Sequence, residues 1–194
     1  MKKLIFIIML IIFSMTTKAT PLTSLTCHSY IPNDTPNRFH KLLARSNGDW
    51  IGESSFWTSP GKPPLTGTSS LTNTMLMNGL FQVSQITINM PGSKKPTVGV
   101  RITGYNPDKN VFTRAMIGND GSMQTVSMEG PWDEATQSFT MPLRRFNPQT
   151  GQYDQMKEVY RIIDENTEIL EMYATDPQTN KEYKMLSVKW TRKK

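Results

Sequence analysis

The 194-residue sequence predicts an all-β protein: an up-and-down antiparallel β-barrel of about ten strands with one short N-terminal capping helix. After Asp49 no stretch keeps a helical spacing of apolar residues, and several runs alternate apolar with polar residues instead. Nine turn-forming clusters separate these runs, at residues 60–64, 78–79, 91–95, 106–109, 119–121, 133–136, 147–151, 164–167 and 176–180. Strands joined by short turns pair antiparallel, and closure into a barrel removes the two exposed edges. A two-sheet sandwich, the alternative, would need longer crossing connections.

The first 19 residues have the order of a secretory signal peptide. Lys2 and Lys3 precede an apolar run at residues 4–13, and Ala19 closes a Thr-Lys-Ala cleavage motif. The run is shorter than the roughly 20 residues that span a bilayer. We therefore expect cleavage after Ala19, a periplasmic or secreted protein, and no stable membrane span after cleavage. Residues 20–34 are expected to form a flexible leader and residues 35–194 a single β-barrel domain.

The helix is predicted to begin at Thr35, a suitable N-cap, with Pro36 as its first residue. Phe39 and Leu43 then lie on one face, and the Asn-Gly pair at residues 47–48 ends the helix. A second local prediction concerns residues 81–88, where the apolar positions shift by one residue, which indicates a bulge or bend near Gln85.

Charge and residue types argue against several functions. Loss of Lys2, Lys3 and Lys18 lowers the formal net charge from +6 to +3, and the remaining basic residues are scattered, so no nucleic-acid binding is expected. One Cys and two His provide no metal-ligand set, and no Gly-x-Ser-x-Gly elbow occurs. We therefore predict no metal, no cofactor and no catalytic residue. His40 is interpreted as an exposed or capping imidazole, and Glu53 as a charge on the barrel rim.

Several motifs resemble, in order, a bacterial family known as domain of unknown function 1579. They lie at residues 40–43 (HKLL), 47–50 (NGDW), 56–64, 104–107 (GYNP), 128–130 (MEG) and 160–193. The resemblance implies a calycin-like barrel, similar in outline to lipocalins and fatty-acid-binding proteins, and it implies no established reaction. It also implies that Trp50 on the first strand packs near Arg192 on the last. A guanidinium over an indole is worth roughly 0.5 to 2 kcal/mol and would close the barrel end.

We expect the barrel interior to bind a small apolar or amphipathic ligand. Its expected wall consists of Trp57, Phe81, Phe112, Met116, Met128, Phe139, Met141, Tyr160 and Met172. Arg161 is the candidate charged anchor if it points inward, and an outer-wall position is its alternative. Two other functions stay open: a packed, ligand-free envelope interaction module, and an enzyme of unknown reaction that uses Glu53 at the barrel mouth.

Overall fold

The computed structural model describes residues 35–119, 125–148 and 150–194, so the predicted signal peptide and leader lie outside it. Within these ranges, eleven antiparallel strands form one sheet. The strands are β1 (Gly48–Phe56), β2 (Leu65–Leu76), β3 (Phe81–Asn89), β4 (Thr97–Asn106), β5 (Val111–Gly118), β6 (Val126–Gly130), β7 (Trp132–Asp133), β8 (Ser138–Asn147), β9 (Gln152–Ile162), β10 (Thr167–Thr175) and β11 (Glu182–Arg192). A single 3-10 turn, Met77–Gly79, joins β2 to β3.

The sheet curls into an almost closed barrel, which confirms the predicted fold class. Its strand order is β6-β5-β4-β3-β2-β1-β11-β10-β9-β8-β7, so the chain crosses from one edge of the sheet to the other between β6 and β7. Gly130 marks the seam: a Cβ there would lie 1.8 Å from the carbonyl oxygen of Thr140 on β8. Pro131 follows and has no N–H to donate to a ladder. The proline therefore divides one expected strand into two, which makes eleven strands rather than ten.

Helix α1 (Arg38–Arg45) is the predicted helix, but it begins later than the sequence suggested. Asn37 caps it by accepting hydrogen bonds from the N–H groups of Phe39 (2.9 Å) and His40 (3.3 Å). His40 Nδ1 in turn accepts the N–H of Asn37 at 3.1 Å. Such a reciprocal box needs an acceptor three residues after the cap. His40 supplies one for Asn37, whereas Arg38 has none to offer Thr35.

Helix α1 covers one end of the barrel. Its Phe39 and Leu43 are buried, and its last carbonyls accept hydrogen bonds from barrel side chains. Gln82 Nε2 donates to Leu43 O at 2.7 Å, and Asn73 Nδ2 donates to Ser46 O at 3.0 Å. The described part of the chain contains no helix with the length and apolarity that a membrane crossing requires.

The predicted bulge near Gln85 is wrong. The β2–β3 and β3–β4 registers run unbroken through this residue. Between β10 and β11, in contrast, the register shifts between Met172 and Tyr173. Burial explains the shift in apolar residues: Gln82 and Ser84 are buried in the interior, so Phe81 lies on the outer face. Strand β3 thus stays regular and presents polar side chains to the inside of the barrel.

Strand β4 has the same inverted arrangement. Arg101 and Thr103 are buried on the inner face, whereas Val98 and Ile102 are 42% and 46% exposed on the outer face. Alternation predicted which residues share a face. It did not predict that the polar face would be the inner one.

Candidate functional site

An apolar cavity of about 380 Å³ opens at the end of the barrel away from α1. It lies between the ends of β1, β3, β5 and β8 and the beginnings of β4, β6, β9 and β11. Of the described residues that line it, only Thr97 and Arg145 are polar, and five are methionines: Met90, Met116, Met156, Met172 and Met185. The volume lies within the roughly 300–1,000 Å³ range of small-molecule sites. Unbranched methionine side chains adapt to guests of different shape.

A buried charged cluster lies deeper in the barrel. Arg114 is ion-paired with Glu158, and its Nε donates to Thr103 Oγ1 at 2.9 Å. Arg101 Nη1 lies 4.0 Å from Glu158 Oε2, beyond hydrogen-bond distance. Burial, together with the positive charge of Arg114, lowers the pKa of Arg101 to about 10, so the guanidinium is still charged at neutral pH.

Aromatic rings surround these two guanidinium groups. The Arg114 guanidinium lies 5.1 Å from the ring centroid of Phe139 and 5.4 Å from that of Tyr160. Arg101 lies 5.9 Å from the Tyr160 ring. Phe139 and Tyr160 stack on each other at 5.3 Å. The ring faces provide partial compensation for charge taken out of water.

Tyr160 connects the cluster to a buried acid near α1. Its hydroxyl donates to one carboxylate oxygen of Glu168, and Ser46 Oγ donates to the other. Burial raises the pKa of Glu168, although these two hydrogen bonds oppose the shift. Burial and the charge of Glu168 raise the pKa of Tyr160 well above its ordinary value. Both oxygens of Glu168 are therefore occupied within the fold.

The structure places seven expected wall residues inside the barrel, but only two at the cavity. Met116 and Met172 line it. The others are buried deeper: Phe112, Phe139 and Tyr160 belong to an aromatic cluster beneath α1, and Met128 and Met141 belong to the same packed core. The sequence marks these residues as inward-facing, but the height of each along its strand decides whether it meets the cavity.

Three candidates lie on the outer surface, and their assignment to the interior is corrected. Trp57 is next to Lys184, whose Nζ lies 5.9 Å from a Trp57 ring centroid. Phe81 packs over Gly104 on the outer wall because Gln82 and Ser84 occupy the inner positions of β3.

Arg161 is the third of these residues, and its outer-wall alternative is the one observed. Its Nη1 donates to Glu171 Oε2 at 2.5 Å, and the Lys184 ammonium donates to the other oxygen. Burial opposes the ionisation of Glu171, but the hydrogen bonds from Lys184 and Arg161 outweigh it and lower the pKa to about 2. Arg161 is therefore satisfied outside the barrel and does not serve as an interior anchor.

At the end capped by α1, Arg192 lies 4.2 Å from a ring centroid of Trp50, its register partner across β1 and β11. Its guanidinium also donates to three backbone carbonyls, those of Asn47 (2.5 Å), Arg45 (2.6 Å) and Glu165 (2.8 Å). This one side chain touches α1's last residue, the start of β1 and the β9–β10 turn.

His40 and Glu53 occupy ordinary structural positions. His40 belongs to the helix cap, is 5% exposed, and burial lowers its pKa. Glu53 is exposed on the outer face of β1, so it does not face the interior. Among the described residues, no group of three or more His, Cys, Asp or Glu side chains is arranged to hold a metal ion.

Sequence reasoning missed the charged cluster itself. Ser84 is the register partner of Arg101, and Gln82 that of Thr103, so β3 and β4 present one continuous polar patch. The polar residues of the two strands alternate in matching positions, and this match was the sequence signal that could have indicated the cluster. Polar residues on a half-buried strand are ordinarily assigned to the solvent side, so the patch was assigned to the wrong face.

The sequence profile of the family described as "Protein of unknown function (DUF1579)" matches residues 35–192. Among solved structures, the chain is similar to Rv2717c from M. tuberculosis, with a TM-score of 0.62 and 13% identity over 82% of this chain and 100% of that one. It is also similar to the S-type phycobiliprotein lyase CPES from Guillardia theta, with a TM-score of 0.56 and 9% identity over 80% of this chain and 93% of that one. No curated protein matches the sequence. At these identities the two structures share the fold.

Proposed function

The chain belongs to the DUF1579 family of proteins of unknown function, and we propose that it is an exported protein that holds one small, largely apolar molecule inside its barrel. The observation that carries this proposal is the 380 Å³ cavity, whose lining among residues 35–119, 125–148 and 150–194 is apolar except for Thr97 and Arg145. Both polar residues lie at the strand ends that form the mouth. A guest would therefore bury its apolar part inward and meet polar groups at the entrance.

The physical drive for binding is the removal of apolar surface from water. Each buried CH₂ group is worth about 0.8 kcal/mol, which is about a fourfold change in dissociation constant. Methionine side chains can repack around guests of different outline, so we expect tolerance of shape and a steep dependence on apolar length.

Native mass spectrometry of the protein purified from the exported fraction of its own host tests both parts of the proposal. We expect a chain that lacks Met1–Ala19 and carries one small molecule that organic solvent extracts. A soluble chain that retains Lys2 and Lys3 would contradict export. A chain without any bound molecule would favour the packed interaction module.

A second measurement locates the guest with an uncharged apolar dye, 1-aminoanthracene, whose fluorescence rises in an apolar site. Met172→Trp fills part of the cavity and should weaken dye binding about tenfold or more. Ile51→Trp adds the same side chain to the outer face of β1, where Ile51 is 55% exposed, and should leave binding unchanged. Equal effects of the two variants would place the dye elsewhere.

A further inference from the structure

Arg101 is a buried cation whose hydrogen-bonding capacity the fold leaves unused. The residue is 2% exposed, and its Nε has no hydrogen-bond partner among the described residues. Its contacts are the 4.0 Å approach to Glu158 and the ring face of Tyr160. An arginine offers five N–H donors, and a buried charge without hydrogen bonds is costly. Such a site calls for an acceptor that the described residues do not supply.

The internal acids make their hydrogen bonds to other groups, and the nearer oxygen of Glu158 stays 4.0 Å from Arg101. Glu158 is engaged by Arg114, and both oxygens of Glu168 accept hydrogen bonds from Ser46 and Tyr160. Arg114, in contrast, is satisfied by Glu158 and Thr103. Of the two buried arginines, Arg101 is therefore the one available to a guest.

Arg101 lies deeper in the barrel than the apolar cavity and does not line it. Gly99, the preceding inward residue of β4, lines the cavity, and one two-residue step of about 7 Å leads from it to Arg101. Met116, the register partner of Arg101, lines it too. On the opposite wall, Met172 is the register partner of Glu158 and also lines the cavity. A layer of flexible methionine side chains thus separates the cavity from the charges.

We propose, on the basis of the function proposed above, that the guest is an amphipathic monoanion, a carboxylate on an apolar tail, and that Arg101 binds its head group. The tail occupies the cavity between the methionines, and the head passes this layer to reach the guanidinium. A carboxylate matches the planar fork of arginine in a bidentate pair. A dianionic head such as a phosphate is disfavoured, because the Glu158 carboxylate lies 4.0 Å from the same guanidinium.

Matched acids and alcohols test the assignment. Titration calorimetry with octanoate, decanoate and dodecanoate, each against the alcohol of equal length, should show the acid binding about tenfold or more tightly at neutral pH. Decyl phosphate should bind more weakly than decanoate. If acids and alcohols bind equally well, Arg101 is not an anchor, while the proposed apolar binding function stands. If neither class binds, both proposals fail for these guests.

Arg101→Met supplies the decisive variant because it keeps most of the side-chain volume. It should weaken decanoate about tenfold or more and leave decanol within about twofold. Arg161→Met, on the outer wall, is the matched control and should change neither ligand. Arg101→Lys should recover part of the preference for the acid. Equal losses of acid and alcohol in Arg101→Met would overturn the proposal.

Thermal unfolding of the ligand-free variants keeps the test independent of folding defects. Arg101 has only a 4.0 Å ion contact with Glu158, which keeps Arg114 as its close partner, so the melting temperature of Arg101→Met should equal or exceed that of the unsubstituted protein. Arg114→Met leaves Glu158 without its close ion-pair partner and should melt at a lower temperature. If Arg101→Met melts well below the unsubstituted protein, Arg101 is a structural cation and the proposed head-group site is wrong.

Discussion

Arg192→Ala tests the contact that joins the first and last strands of the barrel. The substitution removes a guanidinium 4.2 Å from the Trp50 ring together with its three hydrogen bonds to the carbonyls of Arg45, Asn47 and Glu165. These bonds lie near solvent, so water replaces part of each, and about 1 kcal/mol apiece is the appropriate value. The ring contact adds about 0.5–1 kcal/mol. We therefore expect a loss of about 3.5–4 kcal/mol in the free energy of unfolding.

For a domain of this size that loss lowers the melting temperature by about 7–16 °C. Differential scanning calorimetry measures it, and the emission of the buried Trp50 should change as its cationic neighbour is removed. Lys193→Ala is the matched control, since Lys193 is exposed and its N–H keeps its 2.8 Å bond to Asp49 O. Equal melting temperatures for Arg192→Ala, Lys193→Ala and the unsubstituted protein would refute the reasoning.

Two other perturbations follow from the geometry. Gly130→Ala puts a Cβ 1.8 Å from the Thr140 carbonyl oxygen, so the seam must open, and chemical denaturation should show a loss above about 3 kcal/mol. Gly61→Ala, whose Cβ meets open space at a φ of +77°, should cost only about 1–2 kcal/mol, and similar losses for the two would contradict the clash. The folded pKa of Glu171 is about 2 against an ordinary 4.5, chiefly because the hydrogen bond from Lys184 overcomes burial. Its stabilisation is therefore present above pH 4.5 and lost as the pH falls from 4.5 to 2. Urea unfolding should show Glu171→Gln differing from the unsubstituted protein at neutral pH and converging with it over that range, whereas a constant difference would contradict the shifted pKa.

The turns and the strand alternation carried the fold prediction because both are local properties of the chain. Asn78 and Gly79 take positive φ values at the β2–β3 turn, as their residue types suggest. Alternation along β4 correctly separated Val98 from Arg101. The predicted count of about ten strands is close to the observed eleven, and the difference lies at Pro131, since a proline at a seam and a proline inside an edge strand look alike until the partner strand is known.

Which face of a strand points inward depends on how the strand packs against the rest of the barrel, and the alternation within one strand does not determine it. On β9, Tyr160 and Arg161 are adjacent, and their strand alone allows either to face the interior. The neighbouring strands settle the matter: Glu171, on the outer surface of β10, pairs with Arg161 and also with Lys184 of β11. The strand alternation therefore left both positions of Arg161 open, and the contacts of the neighbouring strands show the outer one.

Strands β3 and β4 place polar side chains inside the barrel, and this arrangement lowers folding stability on both sides of the barrel wall. Inside, Arg101 is held away from water, and its Nε has no hydrogen-bond partner in the part of the chain that the structure describes; outside, Val98 and Ile102 are nearly half exposed. Turning β4 over would bury the two apolar side chains and hydrate the cation, so folding stability alone favours the opposite face. Departures from patterning that have no structural compensation concentrate at functional positions. The position where the sequence pattern misassigns the face of β4 is thus the same position where an anionic guest would supply the missing partner.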